Sequence, residues 1–369
     1  MAGNTTRGRE IMGAALRVGA AFAGTVVGAG FASGQEILQF FGLYGLQAGW
    51  GVGLAGALLA GYGYLILRAG ARFQARSHRE LLTGLATPPL AALLDGLLLL
   101  FLLGGLAAMA AGAGAVAREQ LGLPAPAGSA LLVAGAATAV LFGLEGVVRT
   151  IAAVVPWLLG AVLLVALGNL ATHPLDPGWA PPAPAVLPAW PLAAVAYGSY
   201  NLILAVGVLG PLGRASPRQA LLPGALVGAA ILASGALAIH FSLFTLEPQV
   251  LQETELPMVL LATRLAPGLG PAYSLVLLAE IFTTAVANLF GLVARLDRSP
   301  FPRPAPPRGP ARGAVSRWRT TTLAVSVLAW LMAQVGLAAL VRNLYTLMGV
   351  AGVTLLAALS RQALGELRR

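Results

Sequence analysis

Apolar stretches of about twenty residues recur along the whole of this chain, and the charged residues between them are mostly arginine. A helix of about that length crosses the hydrocarbon core of a bilayer. Composition agrees: the 369 residues are 58% hydrophobic and 10% charged, which places the chain among multi-pass membrane proteins and excludes an ordinary soluble fold. There is no cysteine, so disulfides, thiolate metal sites and thiol redox chemistry are excluded.

The stretches fall at about 12–45, 48–68, 88–116, 129–147, 151–171, 190–212, 220–244, 269–294, 320–340 and 342–360, which makes ten spans. The last two are joined by a tight turn placed at Arg342-Asn343. The net charge of +10 reflects 23 basic residues, all arginine. No basic patch accompanies a soluble nucleic-acid module, and no nucleic-acid partner is expected. Instead, with both termini cytoplasmic, every arginine except Arg118, Arg264 and Arg342 lies on the inner side, as the positive-inside rule requires. The polar start, Met1 to Glu10, is followed by no clear cleavage site, so the first span is read as retained. The partners implied are the lipid bilayer, here a bacterial inner membrane, and a small solute; a homodimer is compatible with the sequence and nothing in it supports one.

The first span is interrupted. Between Ala23 and Phe41 stand Gly24, Gly28, Gly30 and Gly34 together with Thr25, Ser33 and Glu36, residues that weaken a helix or bring polarity into lipid. An apolar helix to about Gly28, an unwound turn and a second short helix from about Ser33 are expected. Broken backbone at membrane depth is tolerated only inside protein or beside a watery cavity. Ten spans with both ends inside divide into five and five, and an odd number per half turns the second half upside down. One membrane domain, residues 1–369, therefore comprises a first repeat at about 12–171 and a second at about 190–360, with a proline- and arginine-rich cytoplasmic linker at about 297–319. The sixth span should mirror the interruption of the first, and Ala196 to Asn201 supplies a small, polar patch there.

These two interruptions locate a binding site. Amide groups at Ala29, Gly30 and Phe31 at the start of the second half-helix suit an anionic group such as an amino acid carboxylate, with Ser33 close by. Gly198, Ser199, Tyr200 and Asn201 could hold an ammonium, or could serve close helix packing. Ser33 and Glu36 have the spacing of a capping box; Glu36 alternatively receives a substrate amine or a proton. On the eighth span Glu280, Thr283, Thr284 and Asn288 share one helical face, and a carboxylate in a span is a functional candidate, either as a cation ligand or as a proton carrier. His240 is a lone histidine in the seventh span. Asp95, and Glu145 with Arg149, are expected in ion pairs or facing water at the inner surface, and Trp50, Trp179, Trp190 and Trp318 in interfacial belts. The stretch Leu256 to Leu265 is apolar enough for a short external helix, either a gate or an interfacial segment.

The inverted arrangement resembles the amino acid–polyamine–organocation superfamily with its LeuT-type fold, and Val26 to Ile37 resembles the YkvI-type amino acid permeases of bacteria. The resemblance implies an all-α fold of ten transmembrane helices in a 5+5 inverted repeat, with helices 1 and 6 interrupted. It also implies a sodium site between spans 1 and 8, formed by the carbonyls of Gly24 and Val27, the carbonyl of Glu280 and the hydroxyls of Thr283 and Thr284. Where the superfamily often places a polar residue on the third span, Leu97 to Ala117 is wholly apolar or glycine, with Met109 near its middle as the candidate for substrate contact. The implied activity is secondary active transport of a small solute, an amino acid or related amine, by alternating access coupled to sodium. A proton-coupled transporter and a permease-fold receptor that binds without transport are the alternatives. No organic cofactor is expected. An enzyme is not expected either, because no zinc-protease, diphosphate or P-loop motif is present.

Overall fold

The computed structural model describes residues 2–142, 145–176, 178–296 and 312–367, with side chains for residues 8–142, 157–176, 178–296 and 317–365. All regular elements in it are helical. The chain begins with α1 (Ala2–Val26), α2 (Ala29–Ser33) and α3 (Gln35–Phe40), then runs through α4 (Gly49–Phe73), the short α5 (His78–Leu85), α6 (Pro88–Leu121), α7 (Ala125–Phe142) and α8 (Glu145–Thr172). The second half comprises α9 (Trp190–Ala215), α10 (Arg218–Leu243), the short α11 (Pro248–Glu253) and α12 (Pro257–Leu265), α13 (Leu269–Leu296), α14 (Arg312–Ala333), α15 (Leu337–Ala339) and α16 (Thr346–Leu367). Among the described residues, seven helical runs are long and apolar enough to cross a membrane: α4, α6, α7, α9, α10, α13 and α15 through α16. The chain is therefore a multi-pass, all-α membrane protein.

Packing divides the long helices into two groups. One comprises α1, α4, α9 and α10; the other comprises α6, α7, α13 and α14, with α8 against α10 and α13 and α16 along α9. Small residues set the first group. A methyl added at Gly70 would strike the Gly210 carbonyl, and one at Gly213 the Leu67 carbonyl, so α4 and α9 touch backbone to backbone. In the second group α6 extends over Pro88–Leu121, about 50 Å of helix, and is buried continuously from Gly104 to Ala117. Proline within its first turn and left-handed Gly122 after its last are the ordinary boundaries of such a helix. The one-turn α2 lies between the groups, against α6 and α13.

Several expectations are corrected. The sixth span is not interrupted: α9 is one helix from Trp190 to Ala215. Its small patch accommodates α16 instead. A methyl at Gly349 would lie 2.5 Å from the Ala196 carbonyl, and one at Gly352 3.0 Å from the Ser199 carbonyl. The turn before the last span lies at residues 334–336, where Gly336 takes φ +94°, and not at Arg342-Asn343. That pair sits inside a π-helical run, Leu340–Tyr345, with the Arg342 guanidinium donating to the Pro184 carbonyl and Asn343 to Ala339. Trp179 is buried and not in a belt, donating to the Leu246 carbonyl and packing edge-on against Phe244, whereas Trp50 is 79% exposed. Residues 297–311 of the expected linker, and the side chains of Glu145 and Arg149, lie outside the described residues.

Candidate functional site

The first segment breaks where the glycines place it. Helix α1 ends at Val26; the Val27 amide still reaches the Ala23 carbonyl at 3.0 Å, and Gly28 is extended at φ −142°, ψ −172°. Helix resumes at Ala29, with the Ala32 amide on the Gly28 carbonyl at 2.9 Å, and kinks again at Gly34, whose φ of +87° is the left-handed geometry that glycine supplies without strain. The turn between is fixed from outside: the Tyr273 hydroxyl donates to the Ala32 carbonyl at 2.6 Å and the Gln35 side-chain Nε2 to the Thr254 carbonyl at 3.0 Å. Met258 and Pro257 of α12 pack over Gly34, so a short helix forms where the sequence suggested one and sits on the break.

The second kink determines where Glu36 goes. It swings the side chain back over Gly30, so closely that a methyl at Gly30 would collide with the carboxylate. The expected capping box does not form, because Gly34 rather than Ser33 occupies the cap position. The Ser33 hydroxyl donates to the Gly30 carbonyl at 3.1 Å instead, and accepts from the Gln35 amide at 3.3 Å. Glu36 is buried, and its carboxylate receives the Tyr200 hydroxyl at 2.5 Å. The Glu36 side chain therefore already fills the space over Gly30, beside the amides expected to bind a substrate anion.

Aromatic rings close this site. Phe40 lies 5.6 Å from both Tyr197 and Tyr200, Tyr197 lies 5.7 Å from Tyr200, and Tyr345 lies 5.2 Å from Tyr200, centroid to centroid. Tyr197 and Tyr345 also interact electrostatically with Glu36. The Tyr197 hydroxyl is buried without a hydrogen-bond partner. Of these rings only Tyr200 belonged to the expected site. Tyr197, three residues before it and so on the same helical face, was readable from spacing, whereas Tyr345 required knowledge of the π-helical run. Among the other expected residues, Ala29, Gly30, Phe31 and Ser33 line the buried break, and Met109 Cε would lie 3.7 Å from a methyl at Gly28. Ser199 and Asn201 face elsewhere: the Ser199 hydroxyl donates to the Gly349 carbonyl at 2.5 Å and Asn201 to the Tyr197 carbonyl at 3.0 Å. Gly198 packs on Leu58.

A second buried carboxylate lies on α13. Glu280 is 1% exposed; its Oε1 accepts the Thr284 hydroxyl at 3.0 Å, the Thr283 hydroxyl donates to the Glu280 backbone carbonyl at 3.0 Å, and Oε2 has no partner. The threonines thus bond within their own helix turn, as threonines in membrane helices commonly do, Thr284 to the carboxylate and Thr283 to the backbone. Gly24 lies in the last turns of α1 and Val27 directly after it. Among the described residues no arginine is buried, so neither Glu36 nor Glu280 has a cationic side chain in the interior. His240 is buried, with Nε2 3.3 Å from the Leu46 carbonyl. Asp95 is ion-paired as expected, to Arg295 and His78; burial pushes the His78 imidazole below its usual range while Asp95 pulls it up.

The fold is that of LeuT-type transporters. A Na+-coupled sialic acid symporter superposes with a TM-score of 0.62 at 13% identity, over 94% of this chain and 78% of that one. MhsT, solved in complex with L-phenylalanine, superposes with a TM-score of 0.58 at 19% identity, over 91% and 88%. In sequence the chain is similar to the uncharacterized membrane protein YkvI of Bacillus subtilis (strain 168), 28% identical over 356 residues that cover 94% of this chain and 95% of that protein. The resemblance seen in the first span therefore extends along nearly the whole chain. No family model matches.

Proposed function

We propose that this protein is a secondary active transporter of a small solute, an amino acid or related amine, working by alternating access coupled to sodium. The observation that carries the reading is the bare Oε2 of buried Glu280, on the face of α13 that also carries the hydroxyls of Thr283 and Thr284. A hard cation takes oxygen ligands, and a carboxylate in a span needs a positive partner, which no described buried arginine supplies. The carbonyls of Gly24 and Val27 would complete the shell. The sodium coupling of the sialic acid symporter supports the same assignment.

In this reading α1 through α3 form one interrupted span, and α4, α6, α7 and α8 complete a first repeat at about 12–171. The spans α9, α10, α13, α14 and α15 through α16 form the inverted second repeat at about 190–360, within one membrane domain. Both termini face the cytoplasm, by the arginine distribution. The group α1, α4, α9 and α10 moves against α6, α7, α13 and α14, exposing the break to each side in turn. The same bare oxygen also favours a second reading, in which Glu280 carries a proton.

The test is thermal stability of the purified protein in sodium and in potassium at two pH values, since a bound ion raises apparent stability by mass action. Sodium is expected to stabilise the wild type and to leave the Thr283→Val/Thr284→Val double variant unmoved. Undiminished sodium dependence in that variant removes the site, and a shift that follows pH but not sodium selects the proton.

A further inference from the structure

Three features of the break point to the chemistry of its ligand. A substrate carboxylate would have to sit near Gly30 and Phe31, but the Glu36 carboxylate already occupies the space over Gly30. Like charges at such a distance repel strongly away from water. The walls around Glu36 are the rings of Phe40, Tyr197, Tyr200 and Tyr345, whose faces attract cations. The Tyr197 hydroxyl has no partner, leaving a neutral oxygen acceptor buried within the same cluster.

An uncompensated carboxylate, an aromatic wall and a spare acceptor form the complement of an organic ammonium group, and no described buried arginine competes for it. We infer that Glu36 is the recognition residue for a substrate amine and that this site selects organic cations, for which a substrate carboxylate is unnecessary and unfavourable. The inference rests on the transporter reading and narrows its substrate from amino acid or amine to amine. In the structure Glu36, Tyr197, Tyr200 and Tyr345 are all buried, so an entering ammonium must part the rings and exchange for the Tyr200 hydroxyl as the carboxylate's partner.

The test uses matched triplets that differ only in their charged groups: phenethylamine, L-phenylalanine and 3-phenylpropionate, and isoamylamine, L-leucine and 4-methylpentanoate. Each is titrated against the purified full chain, in sodium and in potassium, with thermal stability as the readout. The amine of at least one triplet is expected to bind about tenfold or more tightly than its amino acid, with the acid producing no shift. Glu36→Gln is expected to weaken the amine by about tenfold or more while leaving any stabilisation by sodium alone, which also reports that the variant is folded. Tyr197→Phe keeps the ring and tests the spare hydroxyl separately, with a smaller loss. An amino acid that binds more tightly than its amine, amine binding unchanged in Glu36→Gln, or no shift with any amine overturns the inference. Failure of the transporter reading is distinguishable: amines would then bind through Glu36, but reconstituted vesicles would not accumulate radiolabelled phenethylamine under an ion gradient.

Discussion

Glu36 and Glu280 are both buried carboxylates with no buried arginine among the described residues, yet they are surrounded differently. Glu36 is held by the Tyr200 hydroxyl and walled by aromatic rings. Glu280 is held on one oxygen only, by Thr284, on a helix face that also carries the Thr283 hydroxyl and the carbonyl it bonds. Rings attract a diffuse organic cation, whereas small oxygens attract a compact inorganic one. One charge in two kinds of surroundings would thus separate the substrate from its coupling ion, and each carboxylate would be neutralised by a mobile partner rather than by the protein.

The comparison is broken most severely at Gly30. Leucine there would occupy the space of the Glu36 carboxylate, and Gly30→Leu is expected to abolish amine binding and to lower stability by about 1–3 kcal/mol through overpacking, read by thermal unfolding and ligand titration. Normal binding in that variant would separate the substrate site from the break. Next in size is Glu280→Gln, which keeps the shape and the Thr284 contact but removes the charge. Sodium-dependent stabilisation should be lost while amine binding at saturating concentration survives, and loss of both would show that the two sites are not separable in this way. The smallest effect is Tyr200→Phe, which removes one hydrogen bond to Glu36 and keeps the ring. A loss of about 1–2 kcal/mol in stability is expected for a hydrogen bond to a buried carboxylate, with amine affinity changed several-fold or less and sodium unaffected.

Much of this arrangement is legible in the sequence because lipid makes the rules severe. Span lengths and arginine positions identify a multi-pass helical protein, and three glycines within seven residues mark the break at Val27 and Gly28. The face that carries Glu280, Thr283 and Thr284 follows from helical spacing alone. The patch at Ala196 to Asn201 misleads for a physical reason: small residues serve unwinding and close packing equally well. Only Gly349 and Gly352, more than a hundred residues away and facing it on α16, reveal that packing is its role. Ser33 and Glu36 mislead differently, since their spacing fits a cap but the left-handed Gly34 between them turns Glu36 toward Gly30. The aromatic wall draws on three separate elements, α3, α9 and the π-helical run, and local pattern cannot assemble such a cluster.

The most direct test of the claim that two buried carboxylates are neutralised by separate mobile cations is the charge moved per substrate. Reconstituted vesicles held at a set membrane potential would be given radiolabelled phenethylamine and a sodium gradient, and uptake and current would be measured together. One positive charge for the ammonium and a further one for the coupling ion is the predicted ratio, falling to the ammonium alone in Glu280→Gln. A wild-type current that carries only the ammonium, or electroneutral exchange of the amine for a proton, would contradict the account.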